Sequence, residues 1–394
     1  MTTQKAAGEP AFRARRTDTG ASGAARPGTS GAARPGASGA AVIAVTGAAK
    51  GVGLALLQRL GAAARECDGA PVPVGVDLVD PDCGIPFRRA DLIDGHLGSV
   101  LADVDTVVHV AVSTRLSMPA DVRRRANLAR LDAVLSACQE AGVQRLVMLT
   151  SAAVYGSGPQ VSCPLDEGGP LLAGADAGVI SDLWLMEEHL LRARGNGRTP
   201  PIVVSVRPAT IVGAGVESSV TRHFQAPRLL VSRDHPSRFQ LVHVEDVVTA
   251  LQLAARGELD AHSGVTVGCE GWLDPSQVAT FGGPQALAMS EHLLLGIAER
   301  LHSAGVTPAP AAELRFALQP WIVSSAALRA TGWVPSHRHE DVLHMLLDDV
   351  AGQYALAGRR LGRRDAAGAG VAGAAAAVVA ALGAVALSRR RREG

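Results

Sequence analysis

The chain has 394 residues, 47% of them hydrophobic, which suffices for one large core with or without a small second lobe. Its formal net charge is only +1, yet residues 1–40 carry six basic and two acidic side chains, residues 358–394 carry eight and two, and residues 41–357 are left at −9. An acidic body lacks the basic face that nucleic acid requires, and five scattered cysteines without a CxxC pair exclude a disulfide framework and a cysteine-held zinc site.

Residues 1–40 repeat an eight-residue unit, Ala21-Ser-Gly-Ala-Ala-Arg-Pro-Gly28 and Thr29-Ser-Gly-Ala-Ala-Arg-Pro-Gly36, with nothing large to bury. A flexible tail is expected there. The segment has no apolar run, so no Sec-type signal is expected. The unpaired cysteines fit a reducing compartment, and the expected location is cytoplasmic.

From residue 41 apolar strands alternate with helical patterns. Ala41 to Thr46 reads as a first strand and Gly47-Ala-Ala-Lys50-Gly51-Val52-Gly53 as a glycine-rich turn. The helix opened by that turn runs to about Ala64. Strand, glycines and helix in this order let a backbone approach a pyrophosphate, which meets the amides and positive dipole end of the helix. Val72 to Asp77 is a second strand ending in a carboxylate, 24 residues beyond Gly53. An acid at about that distance can accept from both ribose hydroxyls of an adenosine. Short strand-like segments at 88–92, 105–111 and 144–150, with a long helix over 120–141, complete the alternation. The fold class expected is α/β, a Rossmann-type doubly wound parallel sheet with right-handed crossovers.

These motifs resemble the extended short-chain dehydrogenase/reductase superfamily, in particular its NAD-dependent epimerase/dehydratase group. Besides the glycine turn and Asp77, the likeness rests on Asp91-Leu92, Val108-His-Val-Ala111, Leu149-Thr-Ser151-Ala-Ala-Val-Tyr155-Gly156, Val206-Arg207-Pro208, Leu241-Val-His243-Val-Glu-Asp246, and Gly332-Trp333-Val-Pro335. It spans about residues 41–350. The resemblance implies a dinucleotide-binding domain with a small C-terminal α/β substrate lobe drawn from about 210–240 and 265–350. It implies cofactor contacts at Gly47, Lys50, Gly51, Val52, Gly53, Asp77, Asp91, Leu92 and Ala111. Asp77 favours NAD, since a carboxylate repels a 2′-phosphate, whereas Lys50 could pair with one, so NADP is the alternative. The implied activity is that of an oxidoreductase or epimerase on a sugar nucleotide or a similar carbonyl or hydroxyl compound of unidentified structure, and the group accommodates a homodimer.

The family's chemistry uses a tyrosine as acid/base and a lysine four residues later. Only Tyr155 and Tyr354 exist here, and no lysine follows Lys50, so no Tyr-x-x-x-Lys pair can occur. Aligning the helix near 178–190 puts either Ile180 and Trp184 or Val179 and Leu183 where that pair belongs. Tyr155 matches a structural tyrosine of the family. Ser151, at the end of the fifth strand, keeps the position of the family's catalytic serine. A cofactor-binding protein without catalysis, a sensor or scaffold, is the alternative function. Ser181, Asp182 and His189 read as cap or surface residues, Arg123-Arg124-Arg125 and Glu187-Glu188 as solvated faces, and His243 with Asp246 as a hydrogen-bonded structural pair. No His, Cys or acid spacing fits a metal, so no metal site is expected.

Residues 351–365 read as a basic linker and 389–394 as a basic end. Between them, 366–388 holds 23 uncharged residues, long enough to span a bilayer but mostly Ala and Gly, with four Val and two Leu. The expectation is a membrane-spanning or membrane-associated tail, against an Ala-rich helix in solution.

Overall fold

In the computed structural model the described residues are 40–361, apart from 94, 159–162, 177, 196–200, 260–263, 306, 308, 352–353 and 357–358. The expected strands form β1 (Val42–Thr46), β2 (Val72–Asp77), β3 (Phe87–Arg89), β4 (Thr106–His109) and β5 (Arg145–Leu149), joined by α1 (Gly51–Glu66), α2 (Leu97–Val100) and α3 (Ala120–Ala141). There follow α4 (Val179–Gly195), β6 (Ile202–Pro208), β7 (Thr210–Val212), α5 (Ser219–His223), β8 (Leu229–Ser232), β9 (Leu241–His243), α6 (Val244–Arg256) and β10 (Val265–Val267). The chain continues through α7 (Pro275–Thr280), β11 (Ala286–Met289), α8 (Glu291–Ser303), α9 (Ala311–Leu318), α10 (Ala326–Ala330) and α11 (His339–Val350).

Seven strands make one sheet in the order β10-β6-β5-β4-β1-β2-β3, every pairing parallel. This is the doubly wound arrangement, with its switch point between β1 and β4. A strand with both faces covered must be apolar on both, and β1 shows how the pattern is used. Ile43 and Val45 enter the core beneath α1 and α6, whereas Ala44, one residue out of phase, enters the core beneath α3 and α4. On β5, Val147 takes the first side and Leu146 and Met148 the second. α3 ends at Gly142, whose φ of +66° supplies the left-handed cap.

Two short parallel ladders, β7 with β9 and β8 with β11, lie outside this sheet. The second belongs to the lobe, with α5 and α7 to α9. Residues 354–356 and 359–361, within the expected basic linker, pair as an antiparallel ladder. Among the described residues no helix is long and apolar enough to cross a membrane. The 366–388 stretch and the 1–39 tail lie outside the described residues.

Three polar expectations are overturned by the packing. Arg123 is buried, and its Nε donates to buried Asp182 at 2.7 Å, while Arg124 Nε donates to the other carboxylate oxygen at 3.0 Å. Hence Arg123 is no solvated face and Asp182 no surface cap: they tie α3 to the first turn of α4. Glu187, too, is buried. It takes a two-pronged ion pair from Arg207, Nε to Oε1 at 2.8 Å and Nη2 to Oε2 at 2.7 Å, and a 2.7 Å bond from the Thr150 hydroxyl. Glu188 is the member of its pair that faces outward, near Arg192. The strand period explains the placement: Ser205 and Arg207 share the face of β6 that α4 covers.

Candidate functional site

The turn between β1 and α1 shows why three glycines stand there. Gly47 has φ +79°, and a Cβ on it would come 2.9 Å from the backbone of Ala111. Gly53 sits on the first helical turn, where a Cβ would lie 2.1 Å from Gly47 O. These contacts bring the ends of β1 and β4 and the start of α1 together. The amides that every helix N-terminus leaves free then open on a cleft of about 860 Å³. Asp77, at the end of β2, lies beside the turn, its Oδ2 accepting from Ala49 N–H at 3.1 Å and its Oδ1 from Leu78 N–H at 2.7 Å.

Gly47, Lys50, Gly51, Val52, Gly53, Asp77, Ala111 and Ser151 all line this cleft. Asp91 and Leu92 stand apart from its lining: Asp91 is exposed and accepts from Ile93 N–H, and Leu92 is buried in the core under α3. Lys50 is exposed and opens α1 without a side-chain capping bond. Gly51, at φ +55°, faces the loop after β7: a Cβ on it would lie 3.2 Å from Gly215 O.

Toward the lobe the cleft changes character. Val179, Ile180 and Leu183 of α4 line it, together with Phe316 and Trp321. Trp184 turns away, its Nε1 donating to Leu171 O at 3.0 Å. Of the four positions where the pair could fall, Val179, Ile180 and Leu183 face the cleft, all hydrocarbon, and Trp184 does not. Tyr155 is fully buried outside the cleft. Its hydroxyl donates to Glu167 O at 3.2 Å and accepts from Arg207 Nη1 at 2.7 Å, and burial raises its pKa. Ser151 is half-buried, and its Oγ accepts from Ala153 N–H at 3.2 Å, capping a single turn of 3₁₀ helix over Ala152–Tyr155.

Four cleft-side residues escaped the sequence reading. Asn127 of α3 clamps the loop following β4, with Oδ1 accepting from Ser113 N–H at 2.9 Å and Nδ2 donating to Ser113 O at 3.0 Å. Arg130, one turn on, lines the cleft, and its buried Nη1 has no hydrogen-bond partner among the described residues. His109, behind it, has Nδ1 2.8 Å from the Thr46 hydroxyl; burial, helped by the charge of Arg130, pulls its pKa down to about 4 and keeps it neutral. Glu313 reaches from α9 to cap the start of α4, accepting from Val179 N–H, and lines the cleft beside Val179. Burial raises its pKa against the hydrogen bonds it accepts from the α4 amides and Ser219. None of these signals is local: Glu313 lies 134 residues from the amide it caps.

A parallel doubly wound sheet with a glycine turn and an acid at the end of β2 defines a nucleotide-binding α/β protein. The chain belongs to the NAD dependent epimerase/dehydratase family, whose model matches residues 43–267. An uncharacterized protein of Mycobacterium tuberculosis is 28% identical over 174 residues, 43% of this chain and 46% of that protein. A UDP-glucose 4-epimerase of Azospirillum brasilense is 33% identical over 151 residues, 37% and 38% of the two chains. The chain thus spans under half the length of the curated relatives it matches. Among solved structures, UDP-glucose-4-epimerase from Stenotrophomonas maltophila, with bound NAD and formylated UDP-arabinopyranose, superposes with a TM-score of 0.59 at 19% identity, over 79% of this chain and 98% of that one. The NAD complex of the Thermus thermophilus UDP-glucose 4-epimerase gives 0.56 at 19% identity, over 79% and 99%. At these identities the superpositions establish the fold.

Proposed function

We propose that the cleft binds NAD, with the diphosphate over the Gly47–Gly53 turn and the adenosine ribose on Asp77, and that a sugar nucleotide or similar carbonyl or hydroxyl compound occupies the end toward the lobe. The observation that carries this reading is the cradle itself. Gly47 and Gly53 leave no room for a Cβ, α1 presents its amides, and Asp77 is held beside the turn. The family membership and the NAD-bound structural neighbours support it. When bound, the dinucleotide would supply hydride exchange with a carbon that bears a hydroxyl. Calorimetry with NAD, NADH and NADPH on the full chain tests the reading. Binding of NAD that is lost in Gly51→Asp is expected; no binding to any of the three refutes it.

If the protein turns over, its own residues must replace the missing phenol. Glu313 is the candidate acid/base, because it is buried in the cleft wall beside Val179 and its pKa is raised toward the range a proton-transfer group requires. Ser151 would orient the reacting hydroxyl. Glu313→Gln keeps an oxygen for Val179 N–H but cannot exchange a proton. It should therefore retain NAD affinity and abolish turnover, and Ser151→Ala should lower kcat. Unchanged kcat in Glu313→Gln removes this assignment. A second reading, a cofactor-binding sensor or scaffold without chemistry, would rest on the hydrocarbon wall of Val179 and Leu183. Tight NAD binding with no reduction across a panel of sugar nucleotides would select it.

A further inference from the structure

Behind the cleft, the fold joins two segments almost a hundred residues apart. His243 ends β9, Glu245 lies in the first turn of α6, and His337 comes from the segment just before α11. One ligand atom from each lies within 4.8 Å of the others. Glu245 Oε2 is 3.8 Å from His243 Nδ1 and 3.8 Å from His337 Nε2. The sequence shows no such site because its third member is remote.

The hydrogen bonds around His337 fix which of its nitrogens is free. Ser336 Oγ donates its single proton to Asp246 Oδ1 at 2.6 Å, and Ser336 N–H donates to the same oxygen at 2.7 Å. Ser336 Oγ also lies 2.9 Å from His337 Nδ1, so in that contact the imidazole must be the donor. The proton therefore sits on Nδ1, and Nε2 carries a lone pair on the side of Glu245. Asp246 is buried, and its Oδ2 accepts no hydrogen bond while lying 3.4 Å from the same Nδ1. This corrects the sequence expectation that His243 and Asp246 form a bonded pair. Asp246 supports His337 instead, while His243 Nδ1 accepts from Glu245 N–H at 3.4 Å, capping α6, and its ring lies against that of His337 with centroids 4.0 Å apart.

A carboxylate behind an imidazole whose other nitrogen is bare is the arrangement that orients a histidine toward a metal. Two imidazoles and one carboxylate suit zinc, with ligand bonds near 2.0–2.2 Å and a fourth position open to water. The two histidine side chains are 13% and 18% exposed and Glu245 is 65% exposed, so the outer coordination face is open to solvent. We propose that His243, Glu245 and His337 form a zinc(II) site with one water-filled position, oriented by Asp246. The ion would join the segment before α11 to the start of α6. It would also brace β9 against β7, whose Thr210 and Ile211 line the cleft.

The test uses the untagged full-length protein, stripped with chelator and dialysed. Titration calorimetry with zinc sulfate should give one equivalent. Cobalt(II) should give the strong visible absorption of a tetrahedral site in the wild type and not in His337→Gln. Glu245→Gln, an exposed change that leaves the fold alone, should weaken zinc by about 10–100-fold, and Asp246→Asn by a similar factor through loss of orientation. Zinc should raise the melting temperature of the wild type and not of His337→Gln. Absence of stoichiometric zinc binding, or equal affinity in the wild type, Glu245→Gln and His337→Gln, overturns the assignment.

Discussion

Removing Glu187 provides a sharp test of how the sheet and α4 are held together. In Glu187→Ala, the Arg207 guanidinium loses both carboxylate contacts in a site that is almost sealed. The Thr150 hydroxyl loses its acceptor as well. Burial by itself disfavours the Glu187 carboxylate, but the hydrogen bond and charge of Arg207, with Thr150 and Ser205, more than compensate and lower its pKa below the usual 4.5. Breaking such a pair leaves an uncompensated buried charge, worth about 3–5 kcal/mol. That is a large share of the roughly 5–15 kcal/mol by which a domain is folded. Urea unfolding at neutral pH should show the full loss as a fall in midpoint at unchanged slope. Replacing both partners, Glu187→Met with Arg207→Met, should recover part of it, so the cycle is non-additive by about 1–3 kcal/mol. Because the folded pKa is depressed, the pair's contribution is present above pH 4.5 and is lost as pH falls through the lower folded value. The wild-type advantage over Glu187→Gln should therefore shrink only in that acid range. A loss below about 1 kcal/mol in Glu187→Ala, or strict additivity in the cycle, would refute the reasoning.

Other outcomes follow from single residues. His109 is held neutral at about pKa 4 against an ordinary 6.5, so stability should decline as pH falls from 6.5 to 4, by about 3 kcal/mol in total, and His109→Gln should flatten that decline in urea midpoints measured against pH. Gly53→Ala places a Cβ 2.1 Å from Gly47 O; NAD affinity by calorimetry should fall about tenfold or more, with stability lower by roughly 1–3 kcal/mol. Asp77→Asn should lower the preference for NAD over NADP by about tenfold, since it removes the charge that repels a 2′-phosphate; an unchanged ratio would place the ribose elsewhere.

What the sequence made legible follows from where its signals are local. The buried strands, the glycine turn and Asp77 announce themselves within windows of a few residues, and each lies where it was expected. The lack of a Tyr-x-x-x-Lys pair is a matter of counting, because two tyrosines and no lysine after Lys50 leave none to place. Which side of α4 meets the cleft depends on contacts far along the chain, such as the Trp184 bond to Leu171 O. The buried charges misled for a related reason. Runs such as Arg123-Arg124-Arg125 and Glu187-Glu188 look solvated, and only the partner on another element, Asp182 or Arg207, explains why one member of each run is enclosed. Glu313 and Arg130 carry no motif, and their relevance arises from the fold alone.

Glu313 has a mechanical consequence beyond its chemistry. It is rooted in α9, among the lobe elements, and grips the first amide of α4, which packs on the central sheet. One carboxylate therefore bridges the two walls of the cleft. Any widening of the mouth that carries α9 outward withdraws that oxygen from Val179 and frays the helix start. Opening of the lobe would therefore have to break this contact, and a ligand that drew the lobe inward would preserve it.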